Sequence, residues 1–89
     1  MLTLDQSAKF SQDVKRMARR GKSIVKIINV IVSLMNETLL PPNQEDHPLK
    51  GDLEGFRDCH IEPDWLLIYE IHDKTLYLSR TGTHDDLFK

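Results

Sequence analysis

The sequence has very little of what usually announces a cofactor, a membrane or a secreted scaffold. Cys59 is its only cysteine, so no internal disulfide can form, and the thiol is expected to be a reduced, half-buried packing residue. No C-x-x-C or H-x₃-H pair occurs, and the usual closed zinc sites need such pairs. Neither an internal repeat nor a low-complexity tract is present. The longest apolar stretch, Ile24 to Met35, is interrupted by Lys26, Asn29 and Ser33. It is also shorter than the roughly 20 apolar residues of a bilayer span. Met1-Leu2-Thr3-Leu4-Asp5 lacks the basic start and apolar run of a signal peptide. A cytoplasmic location is the expectation, with all 89 residues forming one domain around a single core.

Charge is present but segregated. Over residues 1–30 seven bases, Lys9, Lys15, Arg16, Arg19, Arg20, Lys22 and Lys26, face only Asp5 and Asp13, although the whole chain carries −2. Local field rather than net charge steers a polyanion.

Leu2-Thr3-Leu4 suits a short first strand. Ser7 or Asp5 can cap a helix in which Phe10, Val14, Met17 and Ala18 make an apolar stripe at a period of 3.6. Lys15, Arg19 and Lys22 fall on another face of that helix, flanked by Arg16 and Arg20. Gly21 breaks it, and Ser23 can open a second helix with Ile24, Ile27, Ile28, Ile31, Leu34 and Met35 at helical spacing. Val25, Val30 and Val32 are expected to widen its buried face, and Pro41-Pro42 to end it. Phe56 to Glu62 reads as a strand with Phe56, Asp58, His60 and Glu62 on one face. Trp65 to Ile71 is almost wholly apolar and central, and Thr75 to Arg80 alternates. The expected fold is α+β in the order β-α-α-β-β-β, a helical hairpin packed on an antiparallel sheet. Strict alternation puts Arg80 on the core side with Leu76 and Leu78, so a bulge or a twist at the strand end is expected to re-aim it.

Asp58-Cys59-His60-Ile61-Glu62-Pro63-Asp64-Trp65 carries the chemistry. If the strands pair, His47, His60 and His84 converge with Asp64 and Arg80 at one edge of the sheet. Paired imidazoles equip a protein for proton transfer at both ends of a reaction, and an arginine fork suits phosphate oxygens. Phosphoryl chemistry without a metal is the reaction this set suits best. On RNA that means attack of the ribose 2′-hydroxyl on its own phosphorus. A zinc site from His47, His60, His84 and Asp64 or Cys59 is the competing reading. A Cys59–His60 nucleophile pair fails, because neighbours on a strand point to opposite faces. His72 lies in a charged turn and is left out.

The blocks His47-Pro48-Leu49-Lys50-Gly51, Phe56-Arg57-Asp58-Cys59-His60-Ile61-Glu62-Pro63-Asp64-Trp65 and Arg80-Thr81-Gly82-Thr83-His84 through Leu87-Phe88 resemble the YafQ-type toxins of the RelE superfamily. The resemblance implies a RelE-like, microbial-ribonuclease-like fold. It also implies a bacterial type II toxin that cuts translated mRNA on the ribosome and is silenced by a cognate antitoxin; the lack of a plausible ligand set adds the expectation of no cofactor or metal. Carried over residue by residue, the catalytic positions are His47, His60, Asp64, Arg80 and His84. Phe88, Trp65 and Lys50 become substrate-binding candidates, although Trp65 also reads as a packing anchor. The roles expected are His60 with Asp64 as proton acceptor, His84 as leaving-group acid, Arg80 on the phosphorane, and His47 as substitute or substrate holder. The basic residues Lys15, Arg16, Arg19, Arg20 and Lys22 are the expected ribosome-binding face. The alternative is a toxin of the same plan that poisons a topoisomerase by binding, which has no need of the imidazoles.

Overall fold

The computed structural model describes residues 1–88 and places three helices on a five-stranded mixed sheet. The elements are β1 (Thr3–Gln6), α1 (Ala8–Arg19), α2 (Ile24–Met35), β2 (His47–Pro48), β3 (Arg57–Glu62), β4 (Trp65–His72), β5 (Thr75–Gly82) and α3 (His84–Phe88). Strand order is β1-β5-β4-β3-β2.

The sheet is not purely antiparallel. β2 to β5 form an antiparallel meander, whereas β1 runs parallel to β5, with Gln6 opposite Leu78. Parity explains this. The two helices return the chain so that β2 runs opposite to β1, and three further reversals leave β5 running with β1. The extra strand β2 is only two residues long, but it sets His47 directly opposite Asp58.

The core lies between the sheet and the helices and is built from Phe10, Met17, Ile27, Val30, Leu34, Cys59, Trp65, Leu67, Tyr69, Leu76 and Leu78. Cys59 is fully rather than half buried, and burial pushes its thiol up to about 12, so it is an inert packing group. On α2 the buried positions are Ile27, Val30 and Leu34, whereas Val25 (63% exposed), Ile28 and Val32 face outward. The valines expected to widen the core therefore do so only at Val30. The first helix ends at Arg19, which leaves Lys22 in the following turn. The second ends at Met35, well before the prolines. Glu37 adopts left-handed backbone (φ 56°), and the Thr38 N–H donates to the Ser33 carbonyl at 2.9 Å. That is a Schellman closure made without glycine.

Two bulges aim the polar residues. Ile68 pairs with Arg80 and Tyr69 with Leu78, so Ser79 is the extra residue and Arg80 leaves the face of Leu76 and Leu78, as expected. In β3 the register slips between His60 and Glu62, so Ile61, on the core face with Cys59, is the extra residue. Glu62 then pairs with Trp65 and meets Lys22 and Lys26, each at 2.7 Å. Glu62 thus does not share the face of Asp58 and His60.

Candidate active site

Each imidazole is positioned by a different element. β2 presents His47, β3 presents His60, and α3 begins at His84. In all three the Nδ1 nitrogen is held by a protein acceptor. His47 Nδ1 lies 2.6 Å from the Glu45 carbonyl, His60 Nδ1 lies 3.2 Å from the Pro63 carbonyl, and His84 Nδ1 lies 2.7 Å from Asp64 Oδ1. An Nδ1–H donated to such an acceptor fixes the ring and its tautomer and leaves Nε2 as the working nitrogen. The His60 and His84 rings meet edge to face, with centroids 5.8 Å apart, and Phe88 lies 6.3 Å from His84.

Beneath them is Asp58, a residue the sequence reading did not place in the site. It is buried, Oδ1 has no hydrogen-bond partner, and His47 Nδ1 is 3.1 Å away. Burial raises its carboxyl above the ordinary range, and the nearby His47, His60 and His84 oppose that rise. Sequence alternation already put Asp58 on the face of His60, so the signal was available.

Asp64 does not serve His60. Its Oδ1 accepts from both the backbone N–H and the ring of His84, at 3.0 and 2.7 Å. Those two donations hold its carboxyl below the usual aspartate range. The expected His60–Asp64 pair is therefore replaced by His84–Asp64. The connection β3–β4 is short enough to bring Asp64 back to the start of α3, whereas His60 reaches the carbonyl of Pro63 instead.

Arg80 shares the face of Asp58, since both lie opposite Ile68 from flanking strands. At strand spacing that is about 10 Å of separation across the sheet. Its guanidinium is tied to Asp13 of α1, with Nε at 2.6 Å and Nη2 at 3.2 Å. That bond raises its pKa further, so it stays cationic.

Trp65 cannot touch a substrate. It is 0% exposed, and its indole N–H donates to Thr81 Oγ1 at 2.9 Å, which makes it the packing anchor. Lys50 is exposed in the loop after β2, and Phe88 is 46% exposed at the end of α3.

The short helix α3 is fixed by a reciprocal cap. The Thr83 N–H donates to Asp86 at 3.0 Å, and the Asp86 N–H donates to Thr83 Oγ1 at 3.1 Å. Arg20 grips the same Asp86 with two nitrogens at 2.7 and 3.1 Å, holding its carboxyl far below the usual range. Of the five basic candidates, Arg20 is thus engaged by Asp86, Arg16 by Asp13 at 2.8 Å, and Lys22 by Glu62. Lys15 and Arg19 are exposed and enter no ion pair among the described residues.

A family model described as bacterial toxin of type II toxin-antitoxin system, YafQ, matches residues 2–89. The chain belongs to the YafQ toxin family. Among its relatives, the Escherichia coli K12 protein described as mRNA interferase toxin YafQ is 46% identical over 86 residues, covering 96% of this chain and 94% of that protein. The crystal structure of the E. coli DinJ-YafQ toxin-antitoxin complex superposes with a TM-score of 0.92 at 45% identity, over 99% of this chain and 98% of the other. A metal-bound toxin from Helicobacter pylori superposes with a TM-score of 0.93 at 43% identity, over 99% and 100%. The YafQ fold is therefore the fold of this chain. Among the described residues, no group of three or more His, Cys, Asp or Glu side chains is placed to hold a metal ion. Nor is any helix among them long and apolar enough to cross a membrane.

Proposed function

We propose that this YafQ-family chain is an mRNA endoribonuclease, the toxin of a toxin–antitoxin pair, which cuts translated messages on the ribosome by 2′-hydroxyl attack. A cognate antitoxin binds it, as DinJ accompanies YafQ in the related complex. The observation that carries the chemistry is the set of three imidazoles anchored at Nδ1, with the His60 and His84 rings in contact and buried Asp58 3.1 Å from His47. Anchored rings with Nε2 available are what general acid–base catalysis needs. His60 takes the 2′ proton, with His47 as its substitute. His84 protonates the 5′-leaving oxygen, and Asp64 on Nδ1 holds the ring for that role. Arg80 stabilises the phosphorane. Phe88, next to His84, offers a ring on which a base can stack.

Lys15 and Arg19 contact ribosomal RNA, with Arg16 and Arg20 committed to internal acids. A message translated with and without the protein, followed by primer extension, tests the class, and cuts spaced in the reading frame are expected. The mechanism is tested by replacing the nucleotide 5′ of the cut with its 2′-deoxy form. Cleavage should stop, whereas chelation that spares the ribosome's magnesium should leave the rate unchanged. Cleavage of the deoxy message would refute the 2′-hydroxyl mechanism, and loss of activity on chelation would refute its independence of metal.

A further inference from the structure

α1 carries a buried acid that its amphipathic pattern does not call for. Asp13 lies between Phe10 and Met17 on the inward side of the helix and is 2% exposed, yet its carboxylate is not an isolated charge. It accepts from Arg80 Nε at 2.6 Å, Arg80 Nη2 at 3.2 Å, Arg16 Nη2 at 2.8 Å and the Thr81 N–H at 3.2 Å. A buried carboxylate is tolerated only with such partners.

The surroundings explain why α1 reaches this spot. β1 accompanies β5 only as far as Leu78, so the last residues of β5 have no strand beside them on that edge. Side chains around the start of α1 close the gap. Ser7 Oγ donates to the Ser79 carbonyl at 2.6 Å, and Asp13 receives the Thr81 N–H. Thr81 in turn donates to the Leu66 carbonyl at 2.6 Å and accepts from the Trp65 indole, so this strand end is fixed from both sides. The side chain of Arg80 leaves that fixed point with Nε and Nη2 already oriented, while Nη1 makes no hydrogen bond among the described residues.

We propose that Asp13 is a positioning residue for cleavage: by holding the Arg80 fork on its Nε edge, it aims the remaining face of the guanidinium at the scissile phosphate. One carboxylate is shared by two guanidiniums, those of Arg80 and Arg16, so the cluster keeps a net positive charge to offer a phosphorane. An unanchored arginine would have to be ordered during the reaction, whereas this one is ordered beforehand. The proposal rests on the reading that Arg80 acts on the phosphate.

The test is a double-mutant cycle on the cleavage rate of a ribosome-bound message at saturating ribosome, using Asp13→Asn, Arg80→Ala and both together. If Asp13 acts through Arg80, Asp13→Asn lowers the rate by about 10–100-fold in the parent, the scale of a misplaced catalytic group. In the Arg80→Ala background it should cost less than about twofold more, since the group it aims is gone. An equal loss in both backgrounds would mean that Asp13 is only structural and would overturn the proposal, with Arg80's own role intact. Parental cleavage by Arg80→Ala would overturn the reading of Arg80, and the proposal with it. A measurement on the unaltered protein stands even if Asp13→Asn does not fold. The Arg80 Nε–H should give a slowly exchanging ¹⁵N resonance distinct from exposed arginines. Exchange as fast as that of Arg19 would overturn the anchoring.

Discussion

Gly82→Ala tests how the proposed acid is held, because the space at that position is set by a neighbour that cannot move away freely. A methyl at Gly82 would stand 2.9 Å from both Cβ and Oδ2 of Asp86. Carbon atoms in contact sit about 3.5–4.0 Å apart, so one side must give by at least ~0.6 Å. Asp86 cannot swing aside without releasing the Thr83 N–H and both nitrogens of Arg20. Absorbing such an overlap in place costs about 1–3 kcal/mol. For a domain of this size, that would lower Tm by about 4–8 °C per kcal/mol. The alternative is to let α3 move, and α3 has no buried residue to resist. It carries His84 with it, and a misplacement of about 1 Å in a catalytic group costs on the order of 10² in rate. The expectation is therefore a small change in Tm, unchanged ribosome co-sedimentation and a roughly hundredfold slower cut in a translated message. Parental cleavage by Gly82→Ala would refute the claim that α3's docking sets the position of the acid. A large fall in Tm with unfolding of the sheet would show that the overlap is felt in the core instead.

Two further outcomes follow from charge. Asp64 and Asp86 both titrate below the ordinary aspartate value of 3.8, so their hold on α3 is complete above that value and is lost as pH falls below it. Amide exchange should then show α3 opening in acid before β4 does, and simultaneous opening would contradict this account. Lys15→Glu with Arg19→Glu should weaken ribosome co-sedimentation and flatten its salt dependence. Lys22→Glu should instead mainly disturb Glu62 and Lys26, and an equal effect of the two changes on ribosome binding would sink that distinction.

Much of this fold and site was legible because the decisive signals are local. The apolar runs of Trp65–Ile71 and Ile24–Met35 give a strand and a helix by length and period alone. The conflict between Arg80 and its neighbours Leu76 and Leu78 announced a bulge, and Ser79 supplies it. What escaped depends on contacts far apart in sequence or on slips of one residue. Nothing near Asp64 says that its partner is His84 rather than His60, because that choice is made by the turn of α3. The bulge at Ile61 turns Glu62 toward the helices and cancels the alternation that placed it beside His60. Besides Asp58, two signals were present and unused. Asp13 interrupts the Phe10–Met17 stripe at a core position, which by itself calls for a buried cation. Thr83-His84-Asp85-Asp86 has the form of a helix cap with an acid three residues on.

The proposed base and acid end up on supports of different stiffness. His60 sits in a strand whose neighbours Cys59, Leu66 and Leu67 are fully buried, so its place is fixed by packing. His84 sits on five residues of helix, far fewer than an isolated helix needs, and is held by Asp64, Asp86 and Arg20 through polar contacts. Polar contacts at a surface are weak individually and sensitive to pH and salt, while buried packing is not. The separation of the His60 and His84 rings, 5.8 Å here, is consequently set by the softer partner. Arg20 belongs to the end of α1, the basic helix that also carries Lys15 and Arg19. A polyanion drawn to α1 therefore approaches the arginine that fixes α3, and competition for Arg20 would move His84 while leaving His60 in place.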